Sequence, residues 1–188
     1  MNIIHHILEN TERFPEKPAI IFEDTVLTYS DLSEKTRRLS YALKDIGVEV
    51  GTKIGIILNN GVEFVISMLA AADLGATVVP MNTTLGIRDL RTAITSTDMN
   101  YIIGSHFSLR KGIEGSGPEL PLSRQNYILV DREIDGCLNF GQLLERSSGQ
   151  YSLGECVMDD ETDFILTMTS GSTSAPKPIV FSQTTKVK

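Results

Sequence analysis

The residues with the most chemistry in them are six in a row: Thr169, Ser170, Gly171, Ser172, Thr173 and Ser174. Ala175, Pro176, Lys177 and Pro178 follow. Hydroxyls and backbone N–H groups at this density can turn toward phosphate oxygens, and a lysine beside them supplies positive charge. Gly171 permits close backbone approach and a positive φ. Pro176 and Pro178 stiffen the chain on both sides of Lys177 and hold that side chain to one place. This suits polyphosphate binding. A Ser/Thr/Gly run is also the ordinary composition of a turn, and these residues alone leave both readings open. They do not fit a Walker loop, which ends in Gly-Lys-Ser/Thr and opens a helix. Here Pro176 precedes Lys177 and a strand-like segment follows.

Two apolar segments must hold this loop. Phe164 to Met168 reads as a buried strand entering it, and Ile179-Val180-Phe181 as a second strand leaving it. Upstream, Lys53 to Leu58 reads as a strand, Gly61 to Leu74 as a helix apolar on most sides, and Ala76 to Pro80 as the next strand. A strand–helix–strand unit implies a right-handed crossover and a parallel sheet. Asn60 with Glu63 has the spacing of a capping box for that helix, and Gly75 stops it. An earlier helix is capped by Thr28 with Asp31 as its partner, carries Leu32, Leu39, Leu43 and Ile46 at helical spacing, and stops at Gly47. Asn2 to Phe14 predicts a short helix, and Ala19 to Phe22 with Val26-Leu27 a hairpin around Glu23-Asp24. Ile87 to Thr95 reads as a helix, Tyr101 to Ile103 and Tyr127 to Val130 as strands, and Phe140 to Glu145 as a short helix. Lys111 to Gln125 reads as a surface loop or a partly disordered stretch, and Gly154 to Asp163 as an acidic connector. The fold class expected is α/β, with a mostly parallel sheet flanked by helices.

Composition limits the alternatives. The chain has 188 residues, 41% hydrophobic and 22% charged, which is ordinary for one soluble globular domain. Seventeen basic against 24 acidic residues give a net charge of −7, which argues against a nucleic-acid or anionic-membrane surface. Two cysteines, Cys137 and Cys156, offer no disulfide framework, so a reduced, cytoplasmic setting is the expectation. Neither a signal peptide nor a membrane-spanning stretch is evident. His5 and His6 are adjacent and diverge on a helix, so they do not converge on a metal. His106, after the Tyr101 strand, reads as structural. Asp159, Asp160, Glu161 and Asp163 read as a solvated acidic linker.

The ordered string Thr169-Ser-Gly-Ser-Thr-Ser-Ala-Pro-Lys177 resembles the signature loop of the adenylate-forming superfamily, T-S-G-[ST]-T-G-x-P-K. It departs only at Ser174, where the family has glycine; Pro178 also stands where many members have glycine. Leu27-Thr-Tyr-Ser-Asp-Leu32 resembles the family's L-T-Y-x-[DE]-L. Leu74-Gly-Ala76 with Val79-Pro-Met-Asn82 resembles the helix ending in L-G-A and the strand closed by V-P-x-N.

The resemblance implies ATP-dependent activation of a carboxylic acid to an acyl-adenylate with release of pyrophosphate, followed by transfer to a thiol such as coenzyme A. It implies that Thr169, Ser170, Gly171, Ser172, Thr173, Ser174 and Lys177 hold the β- and γ-phosphates, that Lys177 offsets charge in catalysis, and that the Thr169 hydroxyl touches Mg²⁺. It implies a small-molecule carboxylate as substrate and coenzyme A or a carrier-protein thiol as acceptor, with acyl-CoA synthetases the subclass most resembled. Residues 1–188 then correspond to the N-terminal part of the family's large domain, and this part alone is expected to be inactive. An amino-acid adenylation domain, or a non-catalytic module that binds a nucleotide or a partner protein, are the alternatives. If the family's glycine position requires a positive φ, Ser174 strains the loop.

Overall fold

Four strands carry the centre of the protein, and each alternates its side chains between two cores. They are β3 (Lys53–Ile57), β4 (Thr77–Pro80), β5 (Tyr101–Gly104) and β6 (Tyr127–Leu129). Ile54, Ile56, Val78, Ile103 and Ile128 enter one core. Ile57, Val79, Ile102 and Leu129 enter the other. This is the two-residue period of a pleated strand covered on both faces. The computed structural model describes residues 3–114, 120–146, 151–156, 162–169 and 177–182.

Helices cover each face. The first core takes α1 (Ile3–Arg13), α2 (Tyr29–Asp45), α3 (Val62–Asp73) and α6 (Phe140–Glu145) through Ile4, Leu39, Leu43, Ile66, Leu69, Phe140 and Leu143. The second takes α4 (Ile87–Thr97) and α5 (His106–Ile113) through Leu90, Ile94, Leu109 and Ile113. Burying each such side chain fully contributes about 1.5–3 kcal/mol. Gly55 in β3 keeps the second core close: a Cβ there would stand 2.6 Å from Met81 Cε and 2.8 Å from Met99 Sδ.

The main sheet has seven strands in the order β7-β6-β5-β3-β4-β8-β9, with β7 at Leu138–Asn139, β8 at Asp163–Thr169 and β9 at Lys177–Ser182. Every neighbouring pair is parallel except β8 and β9. The chain steps from β3 to β4 on one side and then crosses to β5 on the other. Right-handed crossovers in opposite directions put α3 and α4 on opposite faces, as the two cores show. A separate hairpin pairs β1 (Pro18–Phe22) with β2 (Thr25–Thr28).

Most elements match the sequence reading, including the Thr28–Asp31 capping box, in which Asp31 N donates to Thr28 Oγ1 at 3.1 Å and Thr28 N to Asp31 Oδ2 at 2.9 Å. Gly75, at φ 67, follows α3 as expected. Two readings are corrected, and two small elements are added. The Asn60–Glu63 box does not form: α3 starts one residue later, with Gly61 as N-cap in extended backbone (φ 173) and no side-chain cap bond. The stretch expected to be loop from Lys111 begins inside a helix, because Ser105 caps α5 by accepting from Ser108 N at 3.3 Å. Arg124–Asn126 adds a 3-10 turn, and β7 is an edge strand that two residues were too few to reveal.

Candidate functional site

The loop is positioned by β8 and β9. Phe164 and Leu166 bury in the two cores, and the backbone ladder pairs Leu166 with Val180, Thr167 with Ile179, Met168 with Pro178 and Thr169 with Lys177. Thr169 and Lys177 therefore face each other where the chain leaves and re-enters the sheet. Ser170, Gly171, Ser172, Thr173 and Ser174 lie outside the described residues, as do Ala175 and Pro176; for Thr169 and Lys177 the backbone alone is described. Antiparallel pairing at β9 supplies the donors and acceptors that the end of a buried strand requires.

The hairpin's first strand runs parallel to β4, with Val78 opposite Ile165. The Thr77 hydroxyl donates to the Asp163 carbonyl at 3.2 Å and fixes where β8 starts. The loop thus opens at the carboxyl end of the parallel strands, the end at which open α/β sheets bind ligands. Two other turns lie at this end and are knit to each other. Thr83 Oγ1 donates to Asn59 Oδ1 at 3.0 Å, joining the turns after β3 and β4. Asn82 Oδ1 accepts from Thr84 N at 2.9 Å and from Thr84 Oγ1 at 2.8 Å, an Asx turn that closes β4. Asn82 was visible in the sequence as the end of Val79-Pro-Met-Asn82. The Asn59–Thr83 link was not, because neither residue type nor spacing marks a bond across 24 positions.

His106 has the structural role its isolation suggested. Its backbone N donates to Asp131 Oδ1 at 2.8 Å, and its Nε2 lies 2.6 Å from Glu114 Oε1, bracing the two ends of α5. Asp163 belongs to β8, whereas Asp159, Asp160 and Glu161 lie outside the described residues. No group of three or more His, Cys, Asp and Glu among the described residues could hold a metal by itself.

At the opposite end of the sheet, the connector before β8 carries an arrangement no motif announced. Asp73, the last residue of α3, is completely buried. Its Oδ2 accepts from the Tyr151 hydroxyl, and its Oδ1 accepts from Gly154 N at 2.7 Å. Burial and the adjacent Asp73 carboxylate push the Tyr151 hydroxyl well above its usual range, so it remains a donor. Lys44 Nζ sits 5.2 Å from the centroid of the Tyr151 ring. Cys137 and Cys156 are both free. Burial raises both thiols, with Asp73 adding to the effect at Cys156. Neither has the lowered pKa of an activated nucleophile. No helix among the described residues is long and apolar enough to cross a membrane.

A medium/long-chain-fatty-acid–CoA/3-oxocholest-4-en-26-oate–CoA ligase of Mycolicibacterium smegmatis is 30% identical over 173 residues, covering 89% of this chain and 30% of that protein. One of the mycosubtilin synthase proteins of Bacillus subtilis is 25% identical over 178 residues, covering 94% of this chain and 6% of that protein. The chain therefore spans less than a third of the length of these curated relatives. The crystal structure of the anthranilate CoA ligase AuaEII with anthranoyl-AMP superposes with a TM-score of 0.83 at 22% identity, covering 98% of this chain and 35% of that one; the fold is shared. The family model of AMP-binding enzymes matches residues 7–187, and the chain belongs to that family.

Proposed function

We propose that the protein carrying this chain is an AMP-forming acid–thiol ligase, of the acyl-CoA synthetase kind. A carboxylate oxygen of the substrate attacks the α-phosphorus of ATP. The bond from that phosphorus to the bridging oxygen breaks, and pyrophosphate leaves with the electron pair. The resulting acyl-adenylate is a mixed anhydride, and a thiol then attacks its carbonyl carbon. AMP departs and the thiol proton passes to solvent. Coenzyme A is the acceptor in this reading.

The observation that carries it is the ladder pair Thr169–Lys177. It brings the two ends of the hydroxyl-rich segment together at the carboxyl end of the parallel strands. Thr169, Ser170, Ser172, Thr173 and Ser174 supply hydroxyls to the β- and γ-phosphates, Gly171 allows the backbone close to them, and Lys177 balances charge on the departing pyrophosphate. Mg²⁺ takes oxygen ligands and keeps much of its shell as water and phosphate, so the single Thr169 hydroxyl fits its needs without an acidic cluster. When bound, the ion would neutralise charge on the phosphate oxygens. Reduced thiols at Cys137 and Cys156 suit the cytoplasm.

The test is carboxylate-dependent exchange of labelled pyrophosphate into ATP by the longer protein, with fatty and aromatic acids as a panel. Exchange with at least one acid is expected there, and none from residues 1–188 alone, which span 30% of the mycobacterial ligase. The match to the mycosubtilin synthase protein favours a second reading, in which an amino acid is activated and passed to a carrier-protein thiol. Amino-acid-dependent exchange with no coenzyme A thioester would select it.

A further inference from the structure

We propose that Asn60–Gly61 is a self-modifying site, at which the Gly61 amide nitrogen attacks the Asn60 side chain and converts it to a carboxylate with loss of ammonia. Asn60 has the chemistry of a helix cap, but that chemistry goes unused, because Gly61 takes the N-cap position. Asn60 is exposed, in the turn between β3 and α3. The side chains of Asn10, Asn59, Asn82, Asn100, Asn126 and Asn139 each make a hydrogen bond. That of Asn60 makes none with any described residue. Asn60 is also the one asparagine in the sequence that glycine follows. Each of the others precedes a residue whose side chain crowds the approach of its own amide nitrogen.

The surroundings favour the reaction. Gly61 has no Cβ to obstruct the attack. Its N–H donates to no described group, so the attacking nitrogen is not held elsewhere. No side chain caps α3, so the N–H groups of its first turn have no intrahelical partner. That positive end of the helix stabilises the negative charge that builds on the Gly61 nitrogen and the Asn60 side-chain oxygen. The Gly61 nitrogen gives its proton to solvent and bonds to Asn60 Cγ. The bond from Cγ to the side-chain nitrogen breaks, and that nitrogen leaves with the electron pair, takes up a proton and departs as ammonia. Water then opens the cyclic imide. Opening at Cγ leaves aspartate; opening at the main-chain carbonyl leaves isoaspartate, whose main chain runs through Cβ and Cγ. Either product adds one negative charge, taking the formal net charge from −7 to −8. The charge appears at the carboxyl end of the sheet, next to the Asn59–Thr83 bond.

This site does not rest on the function proposed above. The test is to hold the folded 188-residue chain at mildly alkaline pH, digest it at intervals and weigh the peptides by mass spectrometry. The peptide with residues 60 and 61 should gain about one mass unit and split into two chromatographic species, with fragmentation placing the gain at Asn60. Peptides carrying the other asparagines should stay unchanged over the same period. Gly61→Ala should slow the gain about tenfold or more, the effect of about 1.4 kcal/mol added to the barrier. The extended backbone there (φ 173) suits alanine, and the nearest atom to its Cβ, Glu63 Oε2, would be 3.5 Å away, so the variant keeps the fold. A 60–61 peptide that stays intact in the folded chain, whether or not it reacts in urea, would overturn the proposal. So would a gain no faster than at the other asparagines, or one unchanged in Gly61→Ala.

Discussion

Thr169 and Lys177 stand opposite each other in the antiparallel ladder of β8 and β9. The segment between them therefore leaves the sheet and returns to it at one place. The sheet enforces this. Leu166 is buried in the core shared with α4 and α5, and the Thr77–Asp163 bond sets where β8 begins. A slip of one residue along β8 would turn Leu166 to the other face.

Removing the lysine charge should be costly to the chemistry and cheap for the fold. Lys177→Ala should lower pyrophosphate exchange by the longer protein about 10²–10³-fold, the range for deleting one group that stabilises developing charge. Unfolding of the same variant should stay close to wild type, since the ladder uses the backbone at this position.

Ser174 stands where the family motif has glycine. If the position takes a positive φ, serine carries a strain of about 1 kcal/mol, and about 1.4 kcal/mol is tenfold in affinity. Ser174→Gly should therefore tighten ATP binding by about fivefold in equilibrium titration. Unchanged affinity would show that serine fits the loop without strain.

The first turn of α2 makes an acid-labile contribution. Hydrogen bonds from the Thr28 hydroxyl and backbone hold the Asp31 carboxyl below its usual range. Burial pushes Glu34 upward, but bonds from Arg38 and Arg37, at 2.7 and 2.9 Å, outweigh it and lower its pKa. Folded values below the unfolded ones mean that both groups stabilise above the ordinary carboxylate range, near about pH 4, and lose that contribution as pH falls through the folded values. Urea unfolding from about pH 6 to about pH 2 should show a shallower acid loss in Asp31→Asn/Glu34→Gln than in wild type. Separately, Thr28→Ala should cost about 1 kcal/mol, a Tm about 2–4 °C lower.

Tyr151 makes the opposite contribution at high pH. Its folded pKa is raised, by burial first and by Asp73 next, so its stabilisation is complete below the unfolded value of about 10 and fades as pH rises above it. Wild type should lose stability from about pH 9.5 to about pH 11 more steeply than Tyr151→Phe, although the variant is the less stable of the two near neutral pH. Parallel slopes in denaturant titrations would show that the phenol is not held as the donor to Asp73.

Local and periodic features were legible in the sequence. The alternating or continuous apolar runs of β3 to β6 and the apolar positions of α2 and α3 identified the layers, because each pattern is repeated over several residues. The string Thr169 to Lys177 stood out because its order is set residue by residue, and the structure describes the backbone of its two ends. Helix α5 was not, since His106–Ile113 has a short apolar stripe of Leu109 and Ile113 and its only cap is Ser105. The misplaced start of α3 turned on one residue: Asn60 has the chemistry of a cap, but the helix begins after Gly61. Asp73 gave no sign at all, because its partners Tyr151 and Gly154 lie 78 and 81 positions away, just before and at the start of the stretch that reads as acidic connector, and a carboxylate at a helix end looks like an exposed one until its burial is known.

The most direct measurement is pyrophosphate exchange by the longer protein, with and without a carboxylic acid, run beside Lys177→Ala. Exchange that depends on the acid and falls about 10²–10³-fold in the variant is the expected result. Absence of acid-dependent exchange across fatty, aromatic and amino acids, or full exchange in Lys177→Ala, would contradict the assignment of Thr169 to Lys177 as the phosphate-holding segment.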